Sequence, residues 1–270
     1  MGNPWDGRLW KGVIYGNSGT KKSFFAASMP KPMKVFCFDP FGKEAPYLAQ
    51  GIPGGLQNMP DGGIFQFVYA SEEDKKAGTP LIEIEYFADM LPQLLATQKN
   101  PSAYERFEIS LAEHVNQGWA GFESIVLDSY SFYEESILRL NQYKLNPTAK
   151  SGAVQDGKQW YGAARRASAC DVVSTLAWAP RHVCVIAHVD RSRVDLHDKQ
   201  ALGIDAAGQG SGAIPRAFAE CYYAYREKNT TGKAQVRLMT DGDGTYIGHS
   251  HIQAPNPCEP TWNAIWQPGA

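Results

Sequence analysis

An α/β fold, with a mostly parallel sheet flanked by helices and antiparallel strands at its C-terminal end, is what the sequence predicts. Three observations carry it. Short apolar runs alternate with stretches of helical periodicity, Asp or His stands directly after three of those runs, and two alternating strands joined by a turn come late in the chain.

Each element follows from its residues. Gly12–Tyr15 reads as a short buried strand, followed by a glycine-bearing loop and a helix from about Lys22 to Ser28 that Pro30 and Pro32 stop. Lys34–Phe38 (KVFCF) is a second buried strand, ending in Asp39-Pro40, and Ile64–Tyr69 (IFQFVY) is a third. Between them Gly51–Gly63 is rich in Gly and Pro and reads as an irregular surface excursion, part of an insertion over about 51–80. Tyr86–Thr97 and Tyr104–Gln117 show helical spacing on either side of an Asn100-Pro101 break. Ser124–Leu127 is a buried strand ending in Asp128. Phe132–Tyr143 and Tyr161–Trp178 are helices, and His182–Ala187 (HVCVIA) is a strand ending in His188. Glu220–Arg226 and Ala234–Thr240 alternate around NTTGK, and DGDG then leads into Thr245–His249, which are hairpin signals. Residues 1–253 read as one domain, with 254–270 as a C-terminal extension rich in Pro and Trp.

Composition narrows the class. With 270 residues, 43% of them hydrophobic and 20% charged, the chain has enough apolar material for a full core. Its apolar runs are far too short to span a bilayer, and MGNPWDGRLWKG has no apolar segment of the kind a signal peptide needs. The five cysteines are scattered without close pairs, so they are expected to be reduced, and the expected location is the cytoplasm, with no membrane partner. A net charge of −2 leaves attraction to nucleic acid to a local patch.

The segment VIYGNSGTKKSFFA carries the most chemistry. Gly16, Lys22 and Ser23 match the first Gly, the Lys and the Ser of G-x-x-x-x-G-K-[ST], and the loop joins a strand to a helix. In such a loop successive backbone amides, here from Gly16 through Asn17, Ser18, Gly19, Thr20, Lys21, Lys22 and Ser23 to Phe24, form a nest for phosphate at a helix N-terminus. Lys22 is expected to bridge the terminal phosphates of ATP and the Ser23 hydroxyl to ligate Mg²⁺. Lys21 stands where the motif has its second Gly, so it must either adopt an unusual dihedral or reshape the nest.

Three strand ends supply the partners. Asp128 fits the acid that holds Mg²⁺ through water, and His188 a group that reports on the γ-phosphate. Asp39 and Glu44 are the two candidates for the base that polarises water, and the sequence does not choose between them. From Arg139 to Arg166, Lys144, Lys150, Lys158, Arg165 and Arg166 are interleaved with Tyr143, Trp160 and Tyr161, the basic-plus-aromatic composition of a single-strand contact.

The order VIYGNSGTKKS, KVFCFDP, IVLDSYS, QWYGAARR, VCVIAHVD resembles the RecA-like P-loop ATPases of phages and prophages, which include AAA-type proteins associated with single-strand annealing and recombination. The likeness runs over roughly Lys11 to Ile252 and is carried by the motifs. It implies a RecA-like P-loop core, ATP and Mg²⁺ as cofactors, and ATP hydrolysis linked to single-stranded DNA. It also implies a homo-oligomeric ring or filament, and an annealing or single-strand-binding protein as partner. It assigns Lys22 and Ser23 to the phosphate loop, Asp128 to the metal and His188 to the sensor, with Arg191, Arg193, Arg216 and Arg226 as candidates for an arginine offered to a neighbouring subunit. Lys21, and Phe41 where the family often has an acid, favour an alternative: a nucleotide-binding scaffold or regulatory protein with little hydrolysis.

Overall fold

The computed structural model describes residues 8–40, 42–59, 63–87, 101–145, 157–190, 203–206, 210–243 and 245–266. In chain order these form β1 (Lys11–Gly16), α1 (Lys22–Ala27), β2 (Met33–Cys37), α2 (Ala45–Leu48), β3 (Ile52–Pro53), β4 (Gln57–Asn58), β5 (Ile64–Tyr69), α3 (Glu72–Ala77), β6 (Ile82–Tyr86) and α4 (Ala103–Asn116). They continue with β7 (Ser124–Asp128), α5 (Tyr130–Leu140), α6 (Gly157–Ser168), β8 (His182–Asp190), β9 (Gly203–Ile204), α7 (Gly210–Ala217), β10 (Glu220–Lys228), β11 (Ala234–Met239), β12 (His249–Ser250) and α8 (Trp262–Ile265). Helices α5 and α6 run on in π-helical geometry over Asn141–Leu145 and Ala169–Leu176.

One sheet organises the chain, in the order β11-β10-β1-β8-β7-β2-β6-β5-β3. The strands from β10 to β6 are parallel to their neighbours, while β11 and β5 close the two sides antiparallel. The fold is therefore mixed α/β with a mostly parallel sheet. Its central strands are largely apolar because helices cover both faces. The pleat sends alternate residues to opposite cores. Val13, Tyr15, Ile125, Leu127, Val183 and Val185 meet α4, α5 and α6 through Phe107, Tyr133, Ile137 and Ala164. Ile14, Val35, Cys37, Val126, Cys184 and Ile186 meet α1 and the last helix through Phe25, Ala26 and Trp262.

Several elements differ from the sequence expectation. Ile82–Tyr86 is a strand paired with β2, so Tyr86 ends β6 instead of opening a helix; the remainder of the helix expected to Thr97 lies outside the described residues. The described residues of 51–80 include β3, β4, β5 and α3, with β3 and β4 paired to β5 and β5 along β6. The strand expected just after DGDG is short and joins β10: His249 and Ser250 pair with Cys221 and Glu220. After Ala254, Cys258, Trp262 and Ile265 are buried. Cys258 bridges Leu238, and Trp262 meets Trp10 edge-on at 5.9 Å.

Candidate functional site

In a parallel sheet every strand delivers its carboxyl end to one edge, where ligands collect in open α/β folds. Here the register puts Gly16 beside His188, Asp128 beside Ile186, and Cys37 beside Asp128. Asp128 continues the alternation of Val126, and Asp39 that of Val35 and Cys37, so both carboxylates fall on the face that α1 covers. The result is a pocket of about 250 Å³ lined by Lys22, Ser23, Asp39, Lys43, Asp128 and His188 together with the loop from Ser18 to Lys21.

At the position of the motif's second glycine the backbone is left-handed. Lys21 adopts φ 57° and ψ 25°, the left-handed conformation that glycine supplies without strain, and Gly19 sits at φ 75°. For a lysine that conformation costs about 1 kcal/mol. The Thr20 hydroxyl donates to the Asn17 carbonyl at 2.7 Å and holds the turn closed. Lys22 is buried, and its ammonium donates to the carbonyls of Gly16 and Asn17 at 2.9 Å each. Burial lowers its pKa to about 8, against the opposing pull of Asp128 and Asp39. This is an ammonium held inside the hollow of its own loop, a donor set that fits a phosphate.

Asp128 is buried and accepts from the Tyr47 hydroxyl at 2.7 Å. Burial first, and the Asp39 carboxylate second, push its pKa up to about 6, while hydrogen bonds from Tyr47 and Ser23 and the charge of Lys22 hold it down. A serine hydroxyl bonded to a carboxylate beside a phosphate nest is the hard-oxygen donor pair that Mg²⁺ takes. Asp39 accepts from the Ser129 hydroxyl at 2.7 Å and lies 3.4 Å from the Lys43 ammonium. The His188 ring packs edge-on against Phe132 at 5.8 Å, and burial, with Lys22 adding to it, lowers its pKa. It is therefore a neutral imidazole at neutral pH.

The structure thus brings Lys22, Ser23, Asp39, Asp128 and His188 into one pocket. Glu44 is elsewhere: its carboxylate accepts from the Gly42 amide at 2.6 Å, and it does not line the pocket. Arg226 donates to the Gly19 carbonyl of its own chain's loop at 2.8 Å. Arg216 is exposed on α7, while Phe41, Arg191 and Arg193 lie outside the described residues.

The expected single-strand contact is divided. Lys144 is engaged with Glu105 at 2.6 Å. Arg165, Arg166 and the Tyr161 ring are exposed on α6, Trp160 is half-buried, and Lys150 and the Lys158 side chain lie outside the described residues. Sequence reasoning missed Tyr47 and Lys43. Both come from the short turn and helix after β2, and the only signal was the lysine between the two carboxylates weighed as bases. Among the described residues, no helix is long and apolar enough to cross a membrane.

No protein-family model matches the sequence, and a search of curated proteins finds no match. Among solved structures the chain is similar to the flagellar accessory protein FlaH from Methanocaldococcus jannaschii, with 11% identity and a TM-score of 0.38 over 93% of this chain and 84% of FlaH. A likeness of that strength assigns neither activity nor family.

Proposed function

We propose that the chain is a P-loop nucleotide-binding protein with a RecA-like core that holds ATP and Mg²⁺ at the carboxyl edge of its sheet and hydrolyses the nucleotide. The observation that carries this reading is the union of a left-handed phosphate loop with the Ser23–Asp128 pair in one pocket. The amides of the loop bind the phosphates, Lys22 exchanges its two carbonyl contacts for phosphate oxygens, and Ser23 and Asp128 hold the metal. When bound, Mg²⁺ neutralises charge on the terminal phosphates. Asp39 is the base this geometry favours over Glu44, because it lines the pocket and Glu44 is engaged with its own loop. His188, neutral and at the end of the strand beside β1, fits a donor to the terminal phosphate.

Action on single-stranded DNA is the finer part of the proposal. Its support is the exposure of Tyr161, Arg165 and Arg166 on α6, with Tyr161 and Arg165 one turn apart as a stacking ring and a phosphate contact would be. Titration calorimetry with Mg²⁺ and ATP tests the first part: saturable binding is expected, lost in Lys22→Ala, and no heat from the unmodified chain sinks it. Turnover at low salt with and without single-stranded DNA tests the second. Unchanged turnover together with no DNA binding discards it. A second reading, binding with little hydrolysis, is favoured by the Lys43 and Ser129 contacts that occupy Asp39. A slow basal rate that DNA does not raise supports it.

A further inference from the structure

We infer that Lys43 is a ligand of the terminal phosphate, a second cation that this chain supplies to its own site. The inference rests on the nucleotide-binding reading above and adds a residue to it.

Lys22 approaches the pocket from the phosphate loop. Lys43 approaches from the turn between β2 and α2, on the side where Asp39 stands. Its ammonium lies 3.4 Å from Asp39 Oδ2 and 5.3 Å from the centroid of the Phe132 ring, and its side chain is 46% exposed. A carboxylate contact of that length is looser than a charge-assisted hydrogen bond of 2.7–2.9 Å. An ammonium held by a loose ion pair and a ring face, half in water, is free to exchange partners at small cost. Its charge already acts across the pocket, since Lys43 disfavours the protonated forms of both Lys22 and His188.

The charge balance points the same way. Lys21, Lys22 and Lys43 line the pocket against two carboxylates, Asp39 and Asp128, an excess that suits a polyanion. Nucleotide hydrolases place a further cation on the transferred phosphate, from their own chain or from a neighbour. Among the described residues Arg226 is committed to Gly19, and Arg216 does not line the pocket. Lys43 is the cation that faces the pocket from the side of the candidate base. Moving its ammonium onto a phosphate oxygen also frees Asp39 Oδ2, while the carboxylate keeps the Ser129 hydroxyl.

The test is the ratio of ATP to ADP affinity, measured by titration calorimetry on the full chain with Mg²⁺. Lys43→Met removes the charge and keeps an aliphatic stem over Phe132. It is expected to weaken ATP about tenfold or more, as befits one charge-assisted hydrogen bond, and to leave ADP within about twofold. Lys43→Arg is expected to retain most of the preference for ATP. Lys22→Ala, the control for the underlying reading, weakens both nucleotides. If the unmodified chain binds ATP and Lys43→Met binds both nucleotides as it does, or loses both equally, Lys43 is no phosphate ligand although the loop is a nucleotide site. If the unmodified chain binds neither nucleotide, the site reading itself fails and takes this inference with it.

Discussion

Arg226 reaches from β10 to the Gly19 carbonyl at 2.8 Å and ties the tip of the phosphate loop to the neighbouring strand of its own chain. The contact explains two features at once. Gly19 needs its left-handed φ, and a Cβ there would stand 3.0 Å from the Arg226 guanidinium, so the loop is shaped to receive that side chain. Arg226→Ala frees the loop tip without touching the core. The expected result is nucleotide affinity lower by about three- to tenfold, with stability changed by less than about 1 kcal/mol because the contact is exposed. Calorimetric titration and thermal melting of the same sample check both halves. An unchanged affinity would mean that the loop holds its shape unaided.

Lys21 makes a sharper prediction about the same loop. Its φ of 57° is strained for a lysine and ordinary for glycine. Lys21→Gly relieves that strain but gains freedom in the unfolded chain, and the net change expected is a stabilisation of up to about 1 kcal/mol. Lys21→Val places a β-branched residue in the left-handed region and is expected to cost about 1–2 kcal/mol and to weaken nucleotide binding. Equal melting temperatures for the two variants would show that the left-handed turn is not populated.

Tyr47 tempers the state of Asp128. The carboxyl is pushed up to about 6 by burial and by Asp39, and the Tyr47 hydroxyl is the first of the contacts that oppose this. A carboxyl raised above its unfolded value gives stability that is full at low pH and lost as pH rises through about 6. Metal binding needs the carboxylate and runs the other way, so affinity for Mg²⁺ with ATP is expected to climb through the same window. Tyr47→Phe removes the donor, and the climb should move up by about one pH unit. Removing Mg²⁺ with a chelator should flatten it. A midpoint that Tyr47→Phe leaves in place would separate Tyr47 from the acid.

Much of this site was legible because it sits where parallel strands must end. Buried strands of four or five apolar residues announce themselves, and the residue after each one falls at the ligand edge. Thus Asp39, Asp128 and His188 could be read together with Lys22 and Ser23. What could not be read depends on partners distant in sequence. Tyr47 finds Asp128 across 81 positions from a helix of four residues, too short to show a period. IEIEY alternates as a strand should, but the apolar spacing from Tyr86 onward matches a helix, so Tyr86 reads as a helix start rather than a strand end. The pairing of His249 and Ser250 with β10 rather than β11 is a choice between two sheet positions that local turn chemistry does not encode.

Acid should weaken the fold through two histidines. His114 stacks on Trp119 and lies near Lys34, and His182 accepts from the Trp10 amide and packs against Trp262. Burial lowers both to about 4. The unfolded chain takes up these protons near the ordinary histidine value while the folded chain resists. Stability is therefore lost as pH falls from about 6.5 toward about 4. Since both rings are partly solvated, the loss is on the order of 1–2 kcal/mol for each after screening. Chemical denaturation across that range should show it, and His114→Gln should flatten its share. A curve that His114→Gln leaves unaltered would place the loss in other groups.

Lys34 sets the last prediction. Its side chain is fully buried on β2, with Glu83 at 2.5 Å and Glu85 at 2.7 Å, and Phe36 and Phe65 present their rings to the ammonium at 5.2 and 5.1 Å. Glu83, Glu85 and His114 bring ligand atoms within 4.8 Å of one another, a grouping that elsewhere holds a metal, but here Lys34 supplies the cation. Removing it with Lys34→Met leaves two adjacent carboxylates in a low-dielectric pocket. The cost expected is about 3–5 kcal/mol, since the penalty is that of charge left uncompensated. Adding Glu83→Gln and Glu85→Gln keeps an acceptor for the Ser110 hydroxyl and removes the repulsion, so most of the loss should return. Because Lys34 lies near the start of β2 and Asp39 just beyond its end, nucleotide affinity measured well below the melting temperature should be the same in all three proteins. A triple variant no more stable than Lys34→Met would mean that packing of the lysine stem, and not its charge, is what β2 requires there.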